Sequence, residues 1–126
     1  MEWTPIVDCA YDADITVGSE VGQTFLPTIQ LKDFAGNNLT VPAAIVCYMS
    51  DVATGLDFDT ISGEVAKTSG GNGDSCILES TKAWLLVSEA DGTISVTITD
   101  TDTGNHYLVL VMPNGKLVVS DAMLYT

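Results

Sequence analysis

From Asp14 onward the apolar residues recur with a period of two, which is the signature of half-buried strands. The run Thr93-Ile94-Ser95-Val96-Thr97-Ile98-Thr99 alternates without a fault, so Ile94, Val96 and Ile98 point inward and the threonines outward. Two stretches are apolar throughout. His106–Met112 predicts a central strand, and Ala43–Met49 predicts a strand buried on both faces. Thr24–Lys32 reads as a strand holding Phe25, Ile29 and Leu31, with Pro27 marking an edge or a bulge. Shorter strands are predicted at Gly63–Lys67, Ser75–Leu78, Ala83–Ser88, Leu117–Ser120 and Ala122–Tyr125.

Between these runs lie dense turn signals. Asp33-Phe34-Ala35-Gly36-Asn37-Asn38, Glu89-Ala90-Asp91-Gly92 and Pro113-Asn114-Gly115-Lys116 each supply residues suited to tight reversals. The stretch Ser50–Asp74 is the least regular and reads as a long surface excursion, with Ser69–Asp74 its most flexible piece. No segment carries a helical stripe. Eight or so short strands with regularly spaced turns predict an all-β fold: an antiparallel β-sandwich, Ig-like, with a jelly roll as the variant. Residues 1–11 differ, with Trp3, Ile6, Val7 and Tyr11 set around Pro5. They read as an extended arm or first edge strand, leaving 12–126 as the sandwich domain.

Charge narrows the function. The 126 residues include seventeen Asp and Glu against four Lys and Arg, for a net charge of -13, and all four cations are lysines. Nucleic-acid affinity comes largely from cationic side chains neutralising phosphates, so a polyanion is not an expected partner. An anionic membrane surface is excluded on the same ground. Yet 46% of the chain is apolar and the mean hydropathy is +0.28. An uncharged strand face buried against a partner or a second copy would reconcile the two. The N-terminus shows neither a basic nor an apolar leader pattern, and the apolar runs fall short of the ~20 residues of a membrane helix. Synthesis in the cytoplasm with reduced thiols is expected. Cys9, Cys47 and Cys76 form no metal or disulfide pattern, and Cys47 and Cys76 are expected to pack as small hydrophobes.

Candidate chemistry is sparse. The single histidine, His106, sits at the start of a strand and reads as a strand-end residue rather than a base. The pairs Asp12/Asp14, Asp57/Asp59 and Asp100/Asp102 are spaced as Asp-x-Asp, and hard cations want several oxygens. Asp100 and Asp102 are the first candidates for a bound cation, but no Glu closes an EF-hand loop there, and Asp is also the commonest turn residue. No cofactor and no enzymatic activity are expected.

The run Thr28-Ile29-Gln30-Leu31-Lys32-Asp33-Phe34-Ala35-Gly36-Asn37 resembles the opening of phage and bacterial Ig-like domains, and Ala44–Asp51 follows where those domains place a second core strand. Leu86–Gly92 and Tyr107–Ser120, with its Met-Pro-Asn-Gly-Lys-Leu-Val-Val-Ser hairpin, resemble small structural proteins of tailed bacteriophages, with Met112 and Lys116 in place of the usual Leu and Arg. The resemblance runs from about Ile15 to the C-terminus. It implies a virion protein with an Ig-like β-sandwich: a capsid decoration or cement protein, a head fibre or a tail module. The favoured expectation is decoration of the head surface, bound to the major capsid protein lattice as a homo-oligomer, with a trimer favoured. Trp3, Ile6, Val7 and Tyr11 would supply the partner contact, since Trp and Tyr are enriched at hot spots. The alternatives are a tail or fibre Ig-like module contacting host carbohydrate and a small acidic cation-dependent binding domain.

Overall fold

The computed structural model describes residues 9–126. Eleven strands form two antiparallel sheets, with no helix among the described residues. In chain order they are β1 (Asp12–Thr16), β2 (Thr24–Phe25), β3 (Thr28–Lys32), β4 (Ala44–Ser50), β5 (Val65–Lys67), β6 (Asp74–Glu79), β7 (Ala83–Val87), β8 (Thr93–Thr99), β9 (Gly104–Val111), β10 (Leu117–Val119) and β11 (Met123–Tyr125). The smaller sheet runs β1-β3-β8-β2, with β5 also on β8. The larger runs β10-β9-β4-β7-β6, with β11 also on β9. This is the antiparallel β-sandwich that the period-two pattern predicts.

The core lies between the sheets and follows the alternation. Ile94, Val96 and Ile98 of β8 face Ile45, Cys47 and Met49 of β4, Trp84 and Leu86 of β7, and Leu108 and Leu110 of β9. Burial pushes the Cys47 thiol far above its ordinary range, so that thiol is inert. Trp84 has no exposed surface, and its indole N–H needs an acceptor. Glu64 supplies it at 2.7 Å.

Several elements differ from expectation. Thr24–Lys32 is two strands, split at Leu26-Pro27, because Pro27 cannot donate to a ladder and its carbonyl instead accepts from Val96 N. Ser69–Asp74, read as flexible, lies across β8. Asn72 N donates to Ser95 Oγ, and a Cβ on Gly71 would sit 2.7 Å from Ser95 Cβ, so only glycine fits there. Cys76 is exposed on an edge strand rather than packed. The arm also ends earlier than residue 11. Ala10 is in the core, and Tyr11 N donates to Lys32 O. The hairpin glycines behave as read, with Gly92 at φ 79 and Gly115 at φ 87, a region that costs a side chain strain.

Candidate functional site

The two outer faces of the sandwich are unlike. On the smaller sheet, outward positions are hydroxyl or charged: Thr93, Ser95, Thr97 and Thr99 on β8, and Asp12 and Asp14 on β1. Asp12 pairs with Lys116 at 3.0 Å and Asp14 with Lys32 at 3.5 Å. The Lys116 contact holds the Asp12 carboxyl below its usual range, helped by the Ala13 amide.

On the larger sheet the outward positions carry no charge across the centre. One ladder row reads Leu117, Val111, Val46, Leu85, Cys76, one residue from each of β10, β9, β4, β7 and β6. At the ordinary strand spacing this row is about 19 Å wide. The neighbouring row, with Tyr48 and Val109, is covered by the chain that follows β4. Gly55 sits so close that a Cβ would lie 2.8 Å from Val119 Cγ2, Tyr48 OH donates to Gly55 O, and Phe58 packs on Tyr48 at 4.4 Å. That cover ends there, and Val46 remains 38% exposed. The covering segment itself presents Leu56 and Phe58 to solvent, at 77% and 73%. The prediction that Ala43–Met49 is buried on both faces is thus half met: Ile45, Cys47 and Met49 are buried, whereas Ala44 and Val46 open onto this surface.

A second cluster lies inside one end of the sandwich. His106 at the start of β9 is held between two carboxylates. Its Nδ1 is 2.6 Å from Asp59 Oδ2, and its Nε2 is 3.5 Å from Asp100 Oδ2. Asp100 has no exposed surface. Its Oδ1 accepts from Ser62 Oγ at 2.9 Å, Ser62 N at 3.3 Å and Asp102 N at 2.9 Å, whereas Oδ2 and His106 Nε2 make no hydrogen bond. Asp59 reaches the imidazole because its amide donates to Met49 O, an isolated bridge that draws the loop over β4. Tyr125 of β11 lies edge-on to the imidazole at 5.3 Å. Burial, reinforced by the charges of Asp100 and Glu20, pushes the Tyr125 phenol far above its usual range.

His106 does lie at the start of its strand, and the structure adds that it is a buried tie between three chain segments. It is not arranged as nucleophile, base and orienting acid, because the Ser62 hydroxyl is bonded to Asp100 rather than to the imidazole. Asp100 and Asp102 do not converge on one cation either. Asp100 turns inward, Asp102 is exposed, and the two are joined by an amide-to-carboxylate bond. Among the described residues no group of three or more His, Cys, Asp or Glu is placed to hold a metal ion. Of the contact residues read from the sequence, Trp3, Ile6 and Val7 lie outside the described residues. Tyr11 is half-buried, edge-on to Phe34 at 5.0 Å and 5.3 Å from Lys116 Nζ.

Glu64 ties β5 to the β6–β7 turn. Partial burial raises its carboxyl, but bonds from Ser80 Oγ, Thr81 N and Trp84 Nε1 outweigh that and hold it below its ordinary value of 4.5. A depressed carboxylate contributes stability above its unfolded value, and that stability is lost as pH falls through the folded one. Glu64→Gln is therefore expected to lose about 1 kcal/mol at pH 7, discounted for exposure, and to show a shallower loss of stability than the parent below pH 4.5. Urea unfolding from pH 7 down to pH 3 checks this; parallel acid limbs would assign the acid sensitivity elsewhere.

No family model and no curated relative matches this chain. A solved cohesin module from a family 33 glycoside hydrolase of Clostridium perfringens is similar in structure, with a TM-score of 0.49 and 15% identity over 92% of this chain and 96% of that one.

Proposed function

We propose that this chain is a non-enzymatic virion structural protein that covers a phage head lattice. It docks through the outer face of its larger sheet and turns the hydroxyl-rich, acidic sheet to solvent. The observation that carries this reading is the contrast between the two outer faces. An apolar, uncharged row five strands wide on a chain of net charge -13 is a costly thing to leave in water. A lattice protein needs such one-sidedness, with one face for the contact and a charged opposite face that keeps dense arrays soluble. The phage resemblance of the strand and hairpin segments supports a virion lattice as the partner. Immunogold labelling of purified particles tests the location. Label over the head supports the proposal, label confined to the tail moves the role to adsorption, and absence of label from particles overturns it.

The arm extends this reading. Ala10 and Tyr11 belong to the sandwich, so the informative truncation removes residues 1–8 only. That variant is expected to keep its melting temperature within a few degrees and to bind heads about tenfold more weakly, since Trp3 is of a type enriched at hot spots. Undiminished binding would remove the arm from the contact.

A second reading rests on the smaller sheet. A shallow groove there is lined by Asp14, Thr16, Thr28, Gln30, Asn72 and Thr93, a set of hydroxyls and amides that suits a sugar. A clear preference on a glycan array, lost in Thr28→Lys, would favour a tail or fibre module gripping carbohydrate.

A further inference from the structure

β6 is the open margin of the larger sheet. It pairs with β7 on one side, and among the described residues no strand pairs with its other side. The margins at β1 and β10 are blunted. β1 carries Asp12 and Asp14, and Lys116 ties it to β10, which is only three residues long. β6 has no such guard along its middle: Ser75, Cys76, Ile77 and Leu78 are uncharged and contain no proline. Ile77 is opposite fully buried Trp84 yet is 54% exposed, and Leu78 is 53% exposed. Among the described residues Ser75 N is bonded only to Asp74 Oδ1, at 2.8 Å, and Ile77 O only to Cys76 Sγ, at 3.7 Å, and edge groups without a strand partner are a template for another strand. A register shift between Ile77 and Glu79 confines regular pairing to Asp74–Ile77, which sets the length of segment the edge can take.

Charge chooses the occupant. Asp74 and Glu79 close the two ends of the strand. Glu89 accepts from Gly73 N beside the first end, and Glu64 accepts from Ser80 and Thr81 beyond the second. Against these four stand Lys67, whose amide is bonded to Ser75 Oγ, and Lys82, already paired with Glu79 at 3.3 Å. A second copy fits badly. Antiparallel pairing centred on Cys76 and Ile77 would set Asp74 opposite Glu79 twice, between two chains of net charge -13.

We propose that β6 captures an extended segment of a partner protein by strand addition, and that this segment has a β-branched, uncharged centre and Lys or Arg at both ends. Main-chain bonds would give the affinity, and the acidic ends of β6 the register and selectivity. Edge and face share Cys76 but are otherwise lined by different residues, so binding at one without the other distinguishes this capture from the head-lattice contact.

The probe is a synthetic peptide, Lys-Lys-Thr-Val-Ile-Val-Thr-Lys-Lys, added to the full chain, with amide hydrogen exchange read residue by residue. Exchange at Asp74–Leu78 is expected to slow by about tenfold or more. Replacing the four lysines by glutamates is expected to weaken binding by at least about tenfold, equivalent to 1.4 kcal/mol. The double variant Ile77→Lys, Leu78→Lys changes two half-exposed side chains, so its melting temperature should hold while peptide binding is lost. Unchanged exchange at β6, protection confined to another strand, or equal binding of the glutamate peptide would overturn the proposal. Protection of β6 that rises with protein concentration in the absence of peptide would also overturn it, by making the occupant a second copy.

Discussion

Replacing His106 by alanine is expected to cost about 3–5 kcal/mol of folding stability, because it opens a core cavity and leaves a buried carboxylate without its nearest polar neighbour. For a chain of this size that is a fall of about 10–20 °C in melting temperature. The reason is what the imidazole leaves behind. Asp100 has no exposed surface, and its Oδ2 has His106 Nε2 as its nearest polar neighbour, at 3.5 Å. Asp59 would lose its 2.6 Å contact at the same time, and with it the pin that holds the segment after β4 over the sheet. That segment carries Gly55, which covers Val109 and Val119, so the loss should spread from the buried cluster to the outer face. Asp100→Asn is the informative companion. Its amide can still accept from Ser62 and from Asp102 N through oxygen, and it offers an N–H to Nε2 when Nδ1 donates to Asp59. It should cost about 1 kcal/mol or less. Thermal and urea unfolding of the two variants side by side decide the matter. A His106→Ala variant within about 1 kcal/mol of the parent would show that the cluster is not a structural tie.

How much of this was legible beforehand depended on the range of the interaction. β8 could be read letter by letter, because Ile94, Val96 and Ile98 face one core and Thr93, Thr97 and Thr99 face outward. The closing hairpin was equally plain: Asn114-Gly115 demands a tight reversal, and Met112 N does donate to Lys116 O. The fold class follows from such local signals. The His106 cluster does not, because Asp59 lies 47 residues from His106 along the chain and reaches it through a single bridge at Met49. Nothing in Asp57-Phe58-Asp59 separates a free turn carboxylate from a half-buried one that meets the imidazole. β4 fails for a different reason. A continuous apolar run says that water is unwelcome on both faces, but not whether the chain itself supplies the second cover. Here Gly55 and Phe58 cover Tyr48, whereas Val46 is left open. Cys76 was misjudged because strand order, which places β6 at the margin, is invisible in a short apolar run.

That open stretch gives the prediction with the largest functional effect. The double variant Val46→Lys, Leu117→Lys places two ammonium groups in one ladder row, two strands apart, so they are not directly opposed. Both positions face outward and neither is fully buried, so folding stability should change by about 1 kcal/mol or less. Binding to purified heads, measured by co-sedimentation, should fall by about 100-fold or more. Two desolvated charges facing an apolar contact cost at least the 2.7 kcal/mol that such a change represents. Charge itself must be separated from position, because the variant also moves the net charge from -13 to -11. Thr16→Lys with Thr99→Lys makes the same change of +2 on the outer face of the smaller sheet, where both residues are exposed. If the larger sheet is the docking face, this second pair binds heads as the parent does. If head binding survives the first pair and is lost in the second, the polarity of the molecule on the lattice is reversed, and the hydroxyl-rich face becomes the contact. If neither pair changes binding, the head contact lies outside both faces. An apolar row about 19 Å wide would then need another partner, since nothing within the described residues covers Val46.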